Sequence, residues 1–267
     1  VASAVVNAGG TVSNANTVNA WVGGNSDASS LTGASRAMAE HLNTLAQTDQ
    51  GALVNAVTAL APETAAMVQS NATETANQVF AAVGSRLSGG SIVTGNEGMS
   101  SGDSIFKRGA MWVQGLFNHS KADDTRKARG FDADSEGIAF GAEKYVNDDV
   151  KLGIGYAYTS SDIDGFMRKT DVDTHTAIAY GEYKPSNWFV NGIATYGWSD
   201  YSEKKNVAGM PVSADYDVDS IGLQAMTGYD IDLCGAMLTP EAGLRYVNIR
   251  QDGYRDSAGQ KVGENTS

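Results

Sequence analysis

The stretch Val150-Lys151-Leu152-Gly153-Ile154-Gly155-Tyr156-Ala157-Tyr158-Thr159 decides the fold. Val150, Leu152, Ile154, Tyr156 and Tyr158 fall on one face, and Lys151, Gly153, Gly155, Ala157 and Thr159 on the other. A period of two marks a strand, here with one greasy side and one small or polar side. Farther along, Ile221, Leu223, Ala225, Thr227 and Tyr229 oppose Gly222, Gln224, Met226, Gly228 and Asp230. Leu238, Ala242, Leu244 and Tyr246 likewise oppose Thr239, Glu241, Gly243 and Arg245. The same pattern predicts strands near 109–119, 136–146, 149–160, 172–184, 187–200, 216–231 and 236–250. These run to about 11 to 16 residues, where ordinary globular strands have about 5 or 6 and tilted membrane strands need about 9 to 11 plus a protruding end.

The connections point the same way. Asn147-Asp148-Asp149, Pro185-Ser186-Asn187 and Asp232-Leu233-Cys234-Gly235 read as tight turns, whereas Lys121 to Ser135, Ser161 to Asp171 and Tyr201 to Asp215 read as long charged loops. Strict alternation of short and long connections is the habit of barrels that cross an outer membrane. Tyr145, Tyr183 and Trp188 fall beside the short turns, and Tyr158, Trp198 and Tyr201 toward the long loops, as two aromatic girdles would. The face of Leu152, Ile154, Tyr156, Ile221, Leu223, Leu238 and Leu244 is then expected to meet lipid, and Lys151, Gln224, Glu241 and Arg245 to face the lumen.

Composition limits the alternatives. With 42% hydrophobic and 19% charged residues among 267, the chain is ordered and long enough for one or two domains. Gly is abundant at 31 against 4 Pro, and 11 Tyr with 4 Trp outnumber 7 Phe, a balance suited to rings with one wet and one apolar end. A net charge of -12 leaves no basic footprint for nucleic acid. No stretch reaches the ~18 apolar residues of a membrane-spanning helix, so crossing falls to strands. The opening Val1-Ala2-Ser3-Ala4 lacks a basic start and an apolar core, so an exported chain would be processed or a fragment. The single Cys234 reads as a bystander in a turn.

Residues 1–30, rich in Asn, Ser, Thr, Gly, Ala and Val without helical periodicity, look like the end of something larger. Residues 31–104 are Ala-rich, with two or three helices expected from Ala34 to about Leu87. Pro62 and Glu63 suit the first turn of a helix over 62–84. Its Gln69, Asn71, Thr75 and Gln78, spread with Ala around the circumference, suggest a helix threading a wet, polar tunnel. Ser88 to Gly102 reads as a flexible joint, and 105–267 as the strand region.

In order, Val83-Gly84-Ser85-Arg86-Leu87, Gly109-Ala110-Met111-Trp112-Val113-Gln114-Gly115, Gly137-Ile138-Ala139-Phe140-Gly141-Ala142-Glu143, His175 to Tyr183 and Leu238 to Tyr246 resemble the autotransporter β-domain over about 230 residues. The fold class expected is α+β by content: a helical lead-in, then an antiparallel transmembrane β-barrel with about seven strands of an expected twelve. The resemblance implies an outer-membrane translocator that anchors and helps export an N-terminal passenger, with a helix retained in its lumen. It also implies as partners outer-membrane lipid and lipopolysaccharide, the barrel assembly machinery, periplasmic chaperones and the chain's own passenger. Because the sequence stops at Asn265-Thr266-Ser267, closure would need further strands from a longer chain or a partner. Some family members cut themselves at an asparagine pair in the lumen; here Asn71 and Asn77 stand apart, so that activity does not carry over.

Catalytic chemistry finds little footing. Gly98-Met99-Ser100-Ser101-Gly102 fits the G-x-S-x-G pattern, but it lacks the preceding strand and following helix that expose a nucleophilic serine. His41, His119 and His175 lie on different elements without ligand spacing. Neither a catalytic residue nor a cofactor is expected. Asp132, Asp134 and Glu136 approximate a calcium loop, a weak metal candidate because alternation resumes at Ile138. Competing readings are an outer-membrane-anchored adhesin, whose loops bind ligands, and a barrel-anchored hydrolase.

Overall fold

The computed structural model describes residues 2–9, 16, 18, 33–60, 64–87, 109–122, 130–233, 237–263 and 265–266. The helical lead-in comprises α1 (Ala2–Asn7), α2 (Gly33–Thr48), α3 (Gln50–Leu60) and α4 (Thr64–Gly84). Asp49 separates α2 from α3 and caps the latter, its Oδ1 accepting the Ala52 N–H at 2.9 Å. The helix α1 forms in a stretch whose sequence shows no helical periodicity. Its fully buried Val5 joins an apolar cluster with Met38, Leu42, Leu53 and Val57, so tertiary packing supplies what six residues of local propensity could not.

Six long strands follow as β1 (Gly109–Ala122), β2 (Phe131–Tyr145), β3 (Val150–Gly165), β4 (Arg168–Tyr183), β5 (Trp188–Val207) and β6 (Met210–Tyr229). A small hairpin, β7 (Ile231–Asp232) with β8 (Met237–Leu238), leads to the seventh long strand, β9 (Glu241–Gln251). A second hairpin of β10 (Tyr254–Arg255) and β11 (Lys261–Val262) precedes β12 (Asn265–Thr266). The main sheet is an antiparallel meander in the order β1-β2-β3-β4-β5-β6-β9-β12, and it is open. It curls far enough for α4, on its concave side, to touch β1, β2, β5, β6 and β9. The fold class read from the sequence is this one: a helical segment, then an antiparallel sheet of barrel type with seven long strands among those described.

Two expected long loops are instead strand. Ser161 to Asp171 lies in β3 and β4 around the two-residue turn Phe166-Met167, and Tyr201 to Asp215 in β5 and β6 around Ala208-Gly209. Ala208 and Gly209 have φ of 50° and 90°, the left-handed pair of a tight hairpin turn whose twist matches its strands. At the other end the connections at 147–149 and 185–187 are short, with Asn147 Oδ1 accepting the N–H groups of Asp149 and Val150; of the third expected turn, Asp232 to Gly235, residues 234–235 lie outside the described residues. Of the third expected loop, residues 123–129 lie outside the described residues, and β2 begins at Phe131.

The reason for the misreading is physical. In the lower part of β3, β5 and β6 the convex face is apolar, with Leu152, Ile154, Ile221 and Leu223 exposed. In the upper part the polarity inverts without a break in the alternation. Asp162, Asp164, Asp171, Ser202 and Asp215 point out, while Ile163, Val172, Tyr201, Ala214 and Tyr216 are buried. A continuous ribbon thus changes solvent along its length, and its upper half looks like a loop to any reading that seeks one greasy face.

Candidate functional site

The site is the concave face and the helix it holds. Every turn of α4 sends apolar side chains against the sheet: Met67, Val68, Ala72, Ala76, Val79, Phe80, Ala82 and Val83 are buried. Phe80 is fully enclosed beside Gly222, where an added Cβ would meet the ring at 2.8 Å, so this glycine permits the close approach. The sheet side of the helix is therefore largely apolar, with Asn71 and Thr75 buried among these residues. The apolar residues escape a pattern search because Ala carries much of the surface.

Polar ties fasten α4 at three heights. Near the short turns, just past its C-terminus, Arg86 makes a two-pronged ion pair with Glu143 at 2.8 and 3.1 Å. Tyr180 Oη donates to the same carboxylate at 2.9 Å and accepts from Trp112 Nε1 at 2.7 Å. Lys151 Nζ donates to the Arg86 carbonyl at 2.6 Å, a cation at the helix C-terminal end, and lies 3.5 Å from Glu182. At mid-height, Arg245 holds Asn77 Oδ1 at 2.6 Å and Gln224 Oε1 at 2.6 Å, its guanidinium 4.8 Å from the Phe80 ring centre. Near the long hairpins, buried Asn71 donates to Tyr201 Oη at 3.2 Å.

A second buried set lies under the hairpin tips. Glu203 is wholly enclosed between Arg168 at 3.1 Å and Lys205 at 3.0 Å, and Arg168 Nη2 donates to the Ala59 carbonyl of α3 at 3.3 Å. Tyr201, Tyr216 and Tyr254 stack in sequence, with centroids 5.1 and 4.4 Å apart. Burial holds the Asp256 carboxyl, in the turn of the β10–β11 hairpin, above its ordinary value.

On the convex face, aromatic rings bracket the apolar band. Tyr183 and Trp188 meet edge-on beside the short turns. Tyr145, expected in the same girdle, instead lies on the concave face: it is the register partner of inward Lys151, whose Nζ is 5.8 Å from its ring, because odd positions of β2 point inward. Tyr158, His175, Trp198 and Tyr196 form a row of rings farther up, His175 and Trp198 stacked at 5.7 Å. About eight residues separate Tyr158 from the turn end of β3, roughly 26 Å of strand before tilt, comparable with an apolar band about 25 Å tall.

A meander of long strands that buries a helix on its inside and exposes a ring-bracketed apolar band on its outside is a translocator architecture. Residues 111–267 match the family profile described as the autotransporter beta-domain, more than half of the chain. The chain belongs to the autotransporter β-domain family.

Among relatives of this autotransporter β-domain is outer membrane protein A of Rickettsia rickettsii, 29% identical over 185 residues, 62% of this chain and 8% of the relative. Outer membrane protein B of Rickettsia typhi is 25% identical over 180 residues, 60% of this chain and 11% of the relative. The chain thus spans about a tenth of the length of the curated relatives it matches. The translocator domain of the autotransporter NalP from Neisseria meningitidis shares the fold, with a TM-score of 0.54 and 14% identity over 62% of this chain and 60% of that one.

Within the autotransporter β-domain the predicted residues sort as follows. Asn71 and Thr75 are buried on α4, Gln78 is half-buried, and Gln69 is exposed on the side away from the sheet. Lys151, Gln224 and Arg245 reach the helix or its neighbours, and Glu241 is half-buried at the start of β9. Leu152, Ile154, Ile221, Leu223 and Leu244 are exposed on the convex face, Leu244 at 83%, and Tyr156 is half-exposed there.

Besides Tyr145, three predictions are corrected. Tyr201 is not a girdle residue: β5 continues to Val207, so alternation places Tyr201 inward at 2% exposure. Leu238 lies in the small β7–β8 hairpin, not on the main sheet, because Pro240 has no N–H for a ladder and β9 begins after it. Asp132, Asp134 and Glu136 project from β2 at alternate positions rather than curling into a loop. Asp134 pairs with His119 at 2.7 Å and Asp132 with Lys121 at 3.5 Å. Among the described residues no cluster of side chains is arranged to hold a metal. Ser100 and Cys234 lie outside the described residues.

Sequence reasoning missed Trp112, Glu143, Tyr180, Glu182, Arg168, Glu203 and Lys205. The signal was available as parity: each stands on the inward face of its strand, and Lys151 and Glu182 are register partners.

Proposed function

We propose that this chain is the outer-membrane translocator end of an autotransporter, anchoring an N-terminal passenger and assisting its export to the cell surface. The observation that carries the reading is the pairing of a lipid-suited convex band with a concave face fastened to α4. Outer-membrane residence is supported by the family and by relatives that are themselves outer membrane proteins of Rickettsia. The direction of α4 is also what export requires: Asn71 sits near the long hairpins and Arg86 near the short turns, so the chain upstream of the helix emerges at the hairpin end. In this reading α4 is the retained lumen helix, 105–267 the barrel portion, and the hairpins and passenger face the exterior.

Full-length protein extracted into detergent is expected to change gel mobility on boiling, and an epitope placed ahead of residue 33 to become accessible to antibody on intact cells. Unchanged mobility together with an inaccessible epitope would refute the translocator. A second reading, an anchored adhesin, draws on the acid-studded hairpins that project beyond the upper girdle. Removing 122–134 while export persists, with loss of cell or matrix binding, would support it.

A further inference from the structure

The helices ahead of α4 do not trail into solvent. Met38 and Leu42 of α2 and Leu53, Val57 and Leu60 of α3 share one buried cluster with Val207 and Val212, which flank the β5–β6 turn, and with Ala258 of the β10–β11 hairpin. Polar contacts hold the same surfaces: His41 Nε2 meets the Ala208 carbonyl at 3.1 Å, and Arg168 holds the Ala59 carbonyl at the end of α3. Ser35 of α2 packs directly against Gly259 of the β10–β11 hairpin. Beneath lie Glu203 and Lys205, and the Asp256 carboxyl responds to both, tying that hairpin to the same charged set.

We propose that α1, α2 and α3, clamped between the β5–β6 hairpin and the β10–β11 hairpin, form a cap that shuts the hairpin-end mouth of the lumen, a closure distinct from the one α4 makes inside. This rests on the translocator reading, since a mouth exists only if the strands wall a lumen. The arrangement is chemically suited to sealing. The cluster supplies an apolar contact, and the hydrogen bond from Arg168 makes it specific, because pulling α3 away takes the Ala59 carbonyl from a buried guanidinium. Once further strands wall the lumen, the cap keeps small polar solutes from the side of α4 that faces away from this sheet, where Gln69 and Ser70 lie.

The test uses full-length protein in intact cells with Cys234→Ser and a probe thiol, Gln69→Cys, on the outward side of α4. A membrane-impermeant maleimide added outside is expected to label the probe slowly. Deleting 33–60, or Leu53→Asp to undock the cap, is expected to raise the labelling rate at least about tenfold. Equal rates with and without 33–60, in proteins that keep heat-modifiable migration, would overturn the cap. If the parent protein itself lacks heat-modifiable migration, the translocator reading fails, and this proposal falls with it.

Discussion

At the scale of single residues, the structure singles out a few side chains whose loss should be felt. Arg86 and Glu143 are largely buried and share two charge-assisted hydrogen bonds with Tyr180 beside them. Replacing Arg86 by Ala leaves Glu143 without its main partner, and we expect about 2–3 kcal/mol lower stability in denaturant unfolding from detergent. Glu143→Gln should cost less, because the amide oxygen still accepts from Arg86 and Tyr180. Gly222→Val must displace Phe80, and should expose α4 to protease while leaving the strands in place. Asp256 provides a pH signature. Burial raises its folded-state pKa, so the folded state binds the proton more tightly than the unfolded chain does. Lys205 opposes this shift and Glu203 adds to it. Docking of the β10–β11 hairpin should therefore tighten as pH falls from neutrality through that raised value toward about 4, and Asp256→Asn should abolish the dependence. Hydrogen exchange of residues 252–262 across that range reads it directly.

At the scale of elements, the long hairpins and α4 behave differently under substitution. An arginine at Leu223, in the middle of the convex apolar band, should cost about 2–4 kcal/mol and depress assembly, whereas a lysine at Asp215 on the upper convex face should be tolerated. Comparing membrane-extracted yield of the two variants separates the two zones of β6. Gly209→Val, at φ of 90°, should fray the β5–β6 tip without touching the band, visible as local exchange confined to the turn. These zones also explain what the sequence could and could not tell. The alternation in Leu152 to Tyr158 and Ile221 to Tyr229 located the strands because lipid-facing and inward residues there differ sharply in polarity. Above the girdle the outward residues become Asp, Ser and Lys, and Tyr201 was misassigned because a local pattern cannot reveal that its sign has reversed. The contacts of α4 were less legible still. Phe80 against Gly222, or Arg86 against Glu143, joins residues 142 and 57 positions apart, and only strand register brings them together.

At the scale of the whole molecule, the protein is a ribbon curled around its own upstream segment, with the helix and the strands holding one another. The shared clusters predict coupled loss: weakening the α4 contacts by Phe80→Ala, a change worth about 3–5 kcal/mol, should lower the boiling temperature at which mobility shifts, not merely free the helix. A shift temperature equal to that of the parent would mean the sheet stands without its contents. The placement of α2 and α3 has a mechanical consequence as well. Drawn toward the hairpin side, α2 and α3 have only to leave the hairpins, while α4 keeps its own grip on the sheet. Drawn the opposite way, the polypeptide must first drag a folded pair of helices through an opening that α4 already fills. Like a stopper knot on a line, the bundle is too wide to follow α4 back between the strands.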